Sequence, residues 1–257
     1  MIQVQAVFKK TLKEFLRQRA TLFWTIGWPI IWVVLGCFAF VSGIPEEALP
    51  QARGSVTIPM MVFALMIAGM ANLPGSIGHD RERKLLLKLK SMPISPWKDI
   101  LGRFLALSIF SFIAIAMVAI MGYVLGARIA CSAENGLKAA GFLFVAVIAS
   151  AGIGMLVGTF IKGVQGAIMT GVSFSVLSAA ISGMMIPYRM LPNVLQAFSR
   201  IYPLSSANSS AIYLLIGEET AGYNPLNYGQ VLATFLLSLL LFTAGLLAYT
   251  KICWNEE

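Results

Sequence analysis

The sequence predicts an all-α polytopic membrane protein with six transmembrane helices and both termini in the cytosol. Hydrophobic residues make up 58% of the 257 residues and charged residues only 12%, whereas soluble domains are about 25% charged. The chain also contains six uncharged apolar stretches, each long enough to cross a hydrocarbon core about 30 Å thick. Because backbone polar groups in lipid need internal partners, these stretches are predicted to be helices.

The six stretches, named span one to span six, belong to a single membrane domain that covers the whole chain. They cover residues 22–41, 56–77, 104–125, 139–161, 166–186 and 228–250. Of the 19 Lys and Arg residues, 14 lie on the side that holds both termini. The positive-inside rule therefore predicts that this side is cytosolic. The same rule accounts for the net charge of +8, so the charge gives no reason to expect a nucleic-acid partner.

Residues 1–21 are predicted to form an amphipathic interfacial helix on the membrane surface. Apolar residues recur at helical spacing, and the opposite face is basic. The apolar positions are Val4, Val7, Phe8, Leu12, Phe15 and Leu16, and the basic positions are Lys9, Lys10, Lys13 and Arg17. The simpler interpretation is a positive-inside anchor, and the favoured one is a helix that also contacts a partner.

A charged segment, residues 79–97, lies between spans two and three and is predicted to form a cytosolic helix. Asp80 and Glu82 fall in its first turn and basic residues in its last turn, the order that the helix dipole favours. Pro93 ends this helix. A Ser-Pro pair at 95–96 then supplies an N-cap and a first-turn proline for the helix that leads into span three.

Small residues recur at every fourth position in spans four and five, which lets helix backbones approach closely. The span-four positions are Ala146, Ser150, Gly154 and Gly158, and the span-five positions are Ala167, Gly171, Ser175, Ala179 and Gly183. The span-five ladder predicts either packing within one protomer or a dimer interface, and its five positions favour the interface.

Residues 187–216 are predicted to form an extracellular re-entrant helical hairpin before span six, or a pair of interfacial helices on the same side. Apolar residues at helical spacing fill residues 193–202, Pro203 breaks the helix, and a second short apolar helix follows at 206–216. Each helix is too short to cross the bilayer. Backbone of this kind at membrane depth has to be shielded by protein.

Several kinds of chemistry are missing from the sequence. No ionisable residue lies in the middle of a span, although ion-coupled transporters usually place one there. No phosphate-binding glycine loop and no catalytic constellation occur. One histidine and three widely spaced cysteines offer no metal site. The chain is therefore not expected to be an enzyme, and the energy for uphill transport would come from another chain.

These features together resemble the type-2 permease family of ABC transporters over nearly the whole chain. The most specific part runs from Asp80-Arg81-Glu82-Arg83 to Pro93-Ile94-Ser95, which is similar to the acidic and basic stretch that precedes Thr-Pro-Ile-Ser in the family. Pro187 with Leu191-Pro192 and Tyr202-Pro203-Leu204 is similar to the family's outer hairpin. The chain departs from the family at Lys84-Leu85-Leu86-Leu87, where Gly-Thr-Leu-Glu is common.

The resemblance implies that the charged segment docks on a separate ATPase subunit. The implied complex contains two permeases, as two copies of this chain or as this chain with a homologous permease, and two ATPases that bind ATP and Mg²⁺. The chain itself would bind no cofactor, and its other partners would be membrane lipids. The implied coupling residues are Asp80, Glu82, Arg83, Lys84, Leu86, Leu89, Pro93 and Ile94.

The resemblance also implies a central pathway lined by spans one, two and five of both permeases. Methionine and aromatic side chains in span two offer a soft apolar lining that suits amphiphiles, although ordinary packing is an equal alternative. The candidate lining residues are Trp24, Trp28, Phe63, Met66, Met70, Phe174 and Ser178.

The favoured function is that of the permease subunit of an ATP-driven exporter in the inner or plasma membrane of a prokaryote. A membrane anchor or signalling subunit that transports nothing and a secondary transporter are the alternatives. An ABC ATPase gene beside this one would favour the first function over the other two.

Overall fold

The computed structural model describes residues 2–41, 43–85, 95–129 and 132–254, and these residues form helices joined by turns and short loops. Six of the helices are long and apolar enough to cross a membrane. They are Arg19–Ala39, Leu49–Glu82, Pro96–Val124, Ala133–Phe160, Val164–Ile181 and Tyr228–Cys253. Each coincides with one predicted span, which confirms the all-helical class and six candidate transmembrane helices.

Most helix ends differ from the predicted bounds. Span two continues to Glu82, so Asp80 lies in its last turns and not in the first turn of a separate cytosolic helix. The helix of span three begins at Pro96, as the Ser-Pro pair predicts, but the Ser95 side chain forms no capping hydrogen bond. The helix of span five ends at Ile181. Charged residues extend spans two and three because, as described below, they find partners inside the protein.

Span two is the central helix of the bundle. In its most apolar stretch 94% of the residues are buried, compared with 22% in span six and 33% in spans one and five. Phe63, Met66 and Met70 are almost fully buried within it. Spans one, three, four and five pack against span two, so its side chains form the middle of the apolar core, and span six packs mainly on span four.

Prolines coincide with π-helical turns in spans one and two. The π turn Phe23–Gly27 precedes Pro29, and the π turn Ala68–Asn72 precedes Pro74. A proline lacks the N–H that would bond the carbonyl four residues earlier, and its ring pushes that carbonyl away. A π turn is one way to accommodate the resulting distortion. The two turns are joined, because the Asn72 amide donates to Thr25 Oγ1 at 2.7 Å.

The amino-terminal helix, Ile2–Arg17, packs along span three. Gly102 permits this contact, because a Cβ at that position would lie 2.7 Å from Val7 Cβ. The rings of Phe15 and Phe110 lie 5.3 Å apart, and both are buried. Part of the apolar face remains uncovered, since Leu16 is 45% exposed.

The predicted hairpin contains two helices, Asn193–Ile201 and Pro203–Leu215. The second begins at Pro203, three positions before the predicted start, because proline suits the first turn of a helix. All of its residues except Tyr213 are buried. It packs against spans two, four and six, so other parts of the protein cover it.

Candidate functional site

A buried ionic cluster lies where the charged segment joins spans two and three. At its centre is Arg103, only 1% of which is exposed. Its Nε donates to Asp99 Oδ2 at 2.8 Å, and one terminal nitrogen donates to Ser76 Oγ at 2.9 Å. Its other terminal nitrogen pairs with Asp80. We name this group, together with Lys10 and Tyr249, the root cluster.

The amino-terminal helix and span six complete the root cluster. The Lys10 ammonium pairs with Asp80, and the Tyr249 hydroxyl donates to Asp99 Oδ2 at 2.7 Å. Two cations therefore pair with two buried carboxylates, and a third carboxylate, that of the half-buried Glu14, accepts a hydrogen bond of 3.1 Å from Ser76 Oγ. Buried charges require such pairing, because their desolvation is costly. The cluster holds four helical segments together at one end of the bundle.

The two residues after Asp80 attach the same helix end to spans four and five. The Arg81 guanidinium donates to the carbonyl oxygens of Gly158, Thr159 and Ile161 at 3.2–3.3 Å. These carbonyls belong to the last turn of span four, where a helix lacks internal donors and carries partial negative charge. Arg81 also lies 3.0 Å from the sulfur of Cys253 at the end of span six.

Glu82, in contrast, forms a hydrogen bond with the amino-terminal end of a helix. Its Oε1 accepts a hydrogen bond of 3.0 Å from the backbone N–H of Val164, the first residue of span five. A carboxylate at a helix amino terminus is favoured by the dipole. Three consecutive residues thus attach the end of span two to span three, span four and span five.

The structure separates the predicted coupling residues into two groups. Asp80 is 1% exposed and pairs with Arg103 and Lys10 inside the protomer, so this structure gives it a role in holding helices together, and its docking role stays a prediction. Glu82, Arg83 and Lys84 are exposed. Leu86, Leu89, Pro93 and Ile94 lie outside the described residues.

Sequence reasoning missed Arg103 and Asp99 as site residues. A signal for them was present, because Asp and Arg four positions apart in an otherwise apolar helix suggest a buried pair. Lys10 and Tyr249 gave no such signal, since the contacts that recruit them join helices far apart in the chain.

The small-residue ladder of span five faces span two of the same chain. A Cβ on Gly171 would lie 1.9 Å from the Met70 carbonyl oxygen, and Ser175 Oγ lies 3.3 Å from Met70 Sδ. Ala167 and Ala179 are fully buried. These contacts correspond to the internal-packing alternative, and they bury four of the five ladder positions within the protomer.

Gly183, the fifth predicted rung, lies beyond the end of span five. Its φ of +75° belongs to the left-handed region that favours glycine. It therefore belongs to the turn that leaves the helix and not to a continuous helical ladder.

The candidate pathway residues do not share one surface of the chain. Phe63, Met66 and Met70 lie in the core, and Ser178 is buried with its hydroxyl 2.9 Å from that of Tyr202. The rings of Trp24 and Trp28 lie 5.6 Å apart and are half-buried, whereas Phe174 is 49% exposed. The span-two residues thus act as packing residues in this conformation.

The fold defines a multi-pass membrane protein with six candidate spans and a buried ionic cluster, the root cluster, where the charged segment joins spans two and three. A family model described as ABC-2 type transporter matches residues 2–216. The chain therefore belongs to the ABC-2 type transporter family and is a permease subunit of an ABC transporter. Such a permease is a transport subunit, generally non-catalytic, and typically works with an ABC ATPase subunit. No curated protein matches the chain.

Proposed function

We propose that this chain is the permease of an ATP-driven exporter and that an ATPase subunit drives it through the segment that follows Glu82. In this proposal two permeases and two ATPases assemble in the plasma membrane of a prokaryote. The root cluster lies at the cytosolic end, where the amino-terminal helix rests at the membrane interface. ATP and Mg²⁺ bind to the ATPase subunits and not to this chain.

The observation that carries the proposal is the attachment of Asp80, Arg81 and Glu82 to three different spans. A rigid helix end held in this way transmits a displacement of the charged segment to spans three, four and five together. Closure of the ATPases would bring the two charged segments closer and shift the membrane domain between two states. The energy of ATP binding would then appear as different stabilities of these two states.

Exposed apolar side chains favour a hydrophobic or amphiphilic substrate. In the isolated protomer Phe23 and Phe38 of span one and Phe174 and Leu177 of span five are each at least 46% exposed. In span five Leu177 lies on the side away from the ladder that packs on span two, and Phe174 lies at the edge of the ladder. Two protomers that face each other through spans one and five would enclose an apolar pathway.

The test separates docking of the ATPase from transmission of its motion. Leu86→Asp combined with Leu89→Asp should abolish co-purification of an ABC ATPase subunit, because each buried leucine typically contributes about 1.5–3 kcal/mol. Arg81→Ala should leave co-purification intact, because Arg81 is not among the implied coupling residues. It should nevertheless lower ATP hydrolysis by the complex in proteoliposomes, since the docked segment is then no longer attached to span four.

Two controls make the result decisive. Leu137→Asp makes the same chemical change at a 77% exposed site in the first turns of span four, and it should affect neither measurement. The chain purified without an ATPase should hydrolyse no ATP. Unchanged co-purification in the double leucine variant, or ATP turnover by the chain alone, would contradict the proposal.

A further inference from the structure

Spans four and six cross at a point where only glycine fits. A Cβ on Gly152 would lie 2.5 Å from the backbone of Leu241, and a Cβ on Gly245 would lie 2.4 Å from the Gly152 carbonyl oxygen. The two helices are therefore in backbone contact in the half of the bundle that contains the end of span six. Such close crossings are typical of membrane helix pairs.

Nearer the start of both helices a groove of about 290 Å³ opens between the two spans. The second hairpin helix packs against both spans, and Thr234 Oγ1 lies 2.7 Å from Ser206 Oγ of that helix. The groove is lined by Lys138, Gly141, Phe142, Val145, Val231, Thr234 and Phe235. Gly141 helps to keep it open, because a Cβ there would meet no atom within 4 Å.

The lining has the chemistry of a site for one hydrocarbon chain and one anion. Phenylalanine and valine side chains supply most of the surface, and the Thr234 hydroxyl is occupied by hydrogen bonds to Ser206 and to the Gln230 carbonyl. Lys138 is the one charged residue of the lining, and 53% of its side chain is exposed. An apolar groove with one polar group that fixes orientation is typical of ligand sites.

Electrostatics at this end of the groove favour an anionic headgroup. Lys138 pairs with Glu134 at 2.6 Å, but both side chains are more than half exposed. An exposed pair of this kind contributes little and exchanges partners easily. Spans four and six both begin at this end. Ser132 caps span four and Glu134 lies in its first turn, so the partial positive charge comes mainly from the amino terminus of span six. The Asn227 side chain leaves the first turn of span six uncapped.

We propose that this groove binds an anionic phospholipid of the bilayer, with one acyl chain in the groove and the phosphate beside Lys138. The inference does not depend on the ATPase or on which side of the membrane the groove faces. It assigns a lipid site to the surface between spans four and six, away from the root cluster and the proposed pathway.

The test counts lipids bound to the full-length chain. Purified protein in detergent is titrated with phosphatidylglycerol or phosphatidylcholine, and native mass spectrometry measures the bound fraction. Gly141→Leu fills the groove without displacing protein atoms and should weaken phosphatidylglycerol binding at least about tenfold, which corresponds to about 1.4 kcal/mol.

Gly229→Leu is the matched control. It introduces the same side chain into open space. It lies two residues before Val231, so it points away from the groove on the opposite side of span six. Binding should be unchanged in this variant. Equal binding in wild type and Gly141→Leu, or equal loss in both leucine variants, would overturn the proposal.

Two charge variants test the headgroup contact. Lys138→Gln should remove the preference for phosphatidylglycerol over phosphatidylcholine, and Glu134→Gln should increase it by releasing Lys138. If neither variant changes the preference for phosphatidylglycerol over phosphatidylcholine, the contact between the phosphate and Lys138 is overturned. A change in oligomeric state in Gly141→Leu would overturn the proposal, because a second copy and not a lipid would then cover the groove.

Discussion

Arg103 shows how a single residue can determine the local structure around it. Its guanidinium contacts Asp80, Asp99 and Ser76 while almost no part of it reaches solvent. A guanidinium offers five donors in a fixed plane, whereas a lysine ammonium offers one centre. The planar geometry lets Arg103 serve two carboxylates on different helices at once. This residue therefore fixes the positions of the two helix ends that flank the charged segment.

Replacing Arg103 with methionine should destabilise the protein by roughly 3–5 kcal/mol, because two carboxylates would remain buried with one cation. Thermal unfolding of the detergent-solubilised chain measures this loss. The double variant Arg103→Met with Asp99→Leu leaves the Lys10–Asp80 pair balanced and should recover part of the stability. A single variant as stable as wild type would show that the cluster contributes nothing to folding.

At the scale of elements, the π turn of span two explains the small residues of spans four and five. Pro74 cannot donate to the Met70 carbonyl, and this oxygen instead approaches Gly171 of span five. The neighbouring Gly69 carbonyl approaches Gly154 of span four at a similarly short distance. The two glycines thus make room for carbonyl oxygens that, in a regular helix, would accept hydrogen bonds from the same helix.

Gly171→Ala tests this explanation, because helix propensity predicts a gain in stability and packing predicts a loss. Propensity alone would stabilise the helix by about 1 kcal/mol. The new Cβ would lie 1.9 Å from the backbone oxygen of Met70, so we expect a net loss of about 1–3 kcal/mol. Thermal unfolding of the detergent-solubilised chain shows whether the stability rises or falls. Ser173→Ala, at an exposed position of the same helix, is the control and should change stability little; a stabilised Gly171→Ala variant would refute the packing argument.

At the scale of the whole molecule, the buried ladder changes where a second permease can bind. Span five exposes Met169, Ser173 and Leu177 on the side away from the ladder. These positions are four residues apart, so they lie on one face of the helix. With span two filling the ladder side, this exposed face is available for the second copy.

Cysteine crosslinking distinguishes the two faces of span five. In a variant whose native cysteines are replaced by alanine, single cysteines at Met169, Ser173 and Leu177 should crosslink two protomers in the membrane. Cysteines at Gly171 and Ser175 should not, because span two covers them. Leu240→Cys, on the 60% exposed surface of span six, is the control for random collision. Crosslinks no stronger than this control at all three span-five positions would exclude the exposed face as the interface.

The sequence by itself determined the number of spans, the amphipathic amino-terminal helix and the break at Pro203 in the hairpin. These features follow from local hydropathy, helical spacing and the missing proline N–H, which act within a few residues. Composition alone was also sufficient to indicate a membrane protein.

Only the tertiary structure decided which surfaces meet. A ladder of small residues predicts close packing but not its partner, and span two occupies that side because its displaced carbonyls need the space that Gly171 and Gly154 leave. Asp80 was expected in a solvent-exposed helix, yet Arg103 and Lys10 allow it to be buried. Partner choice depends on contacts between residues far apart in the chain, and local periodicity carries no information about them.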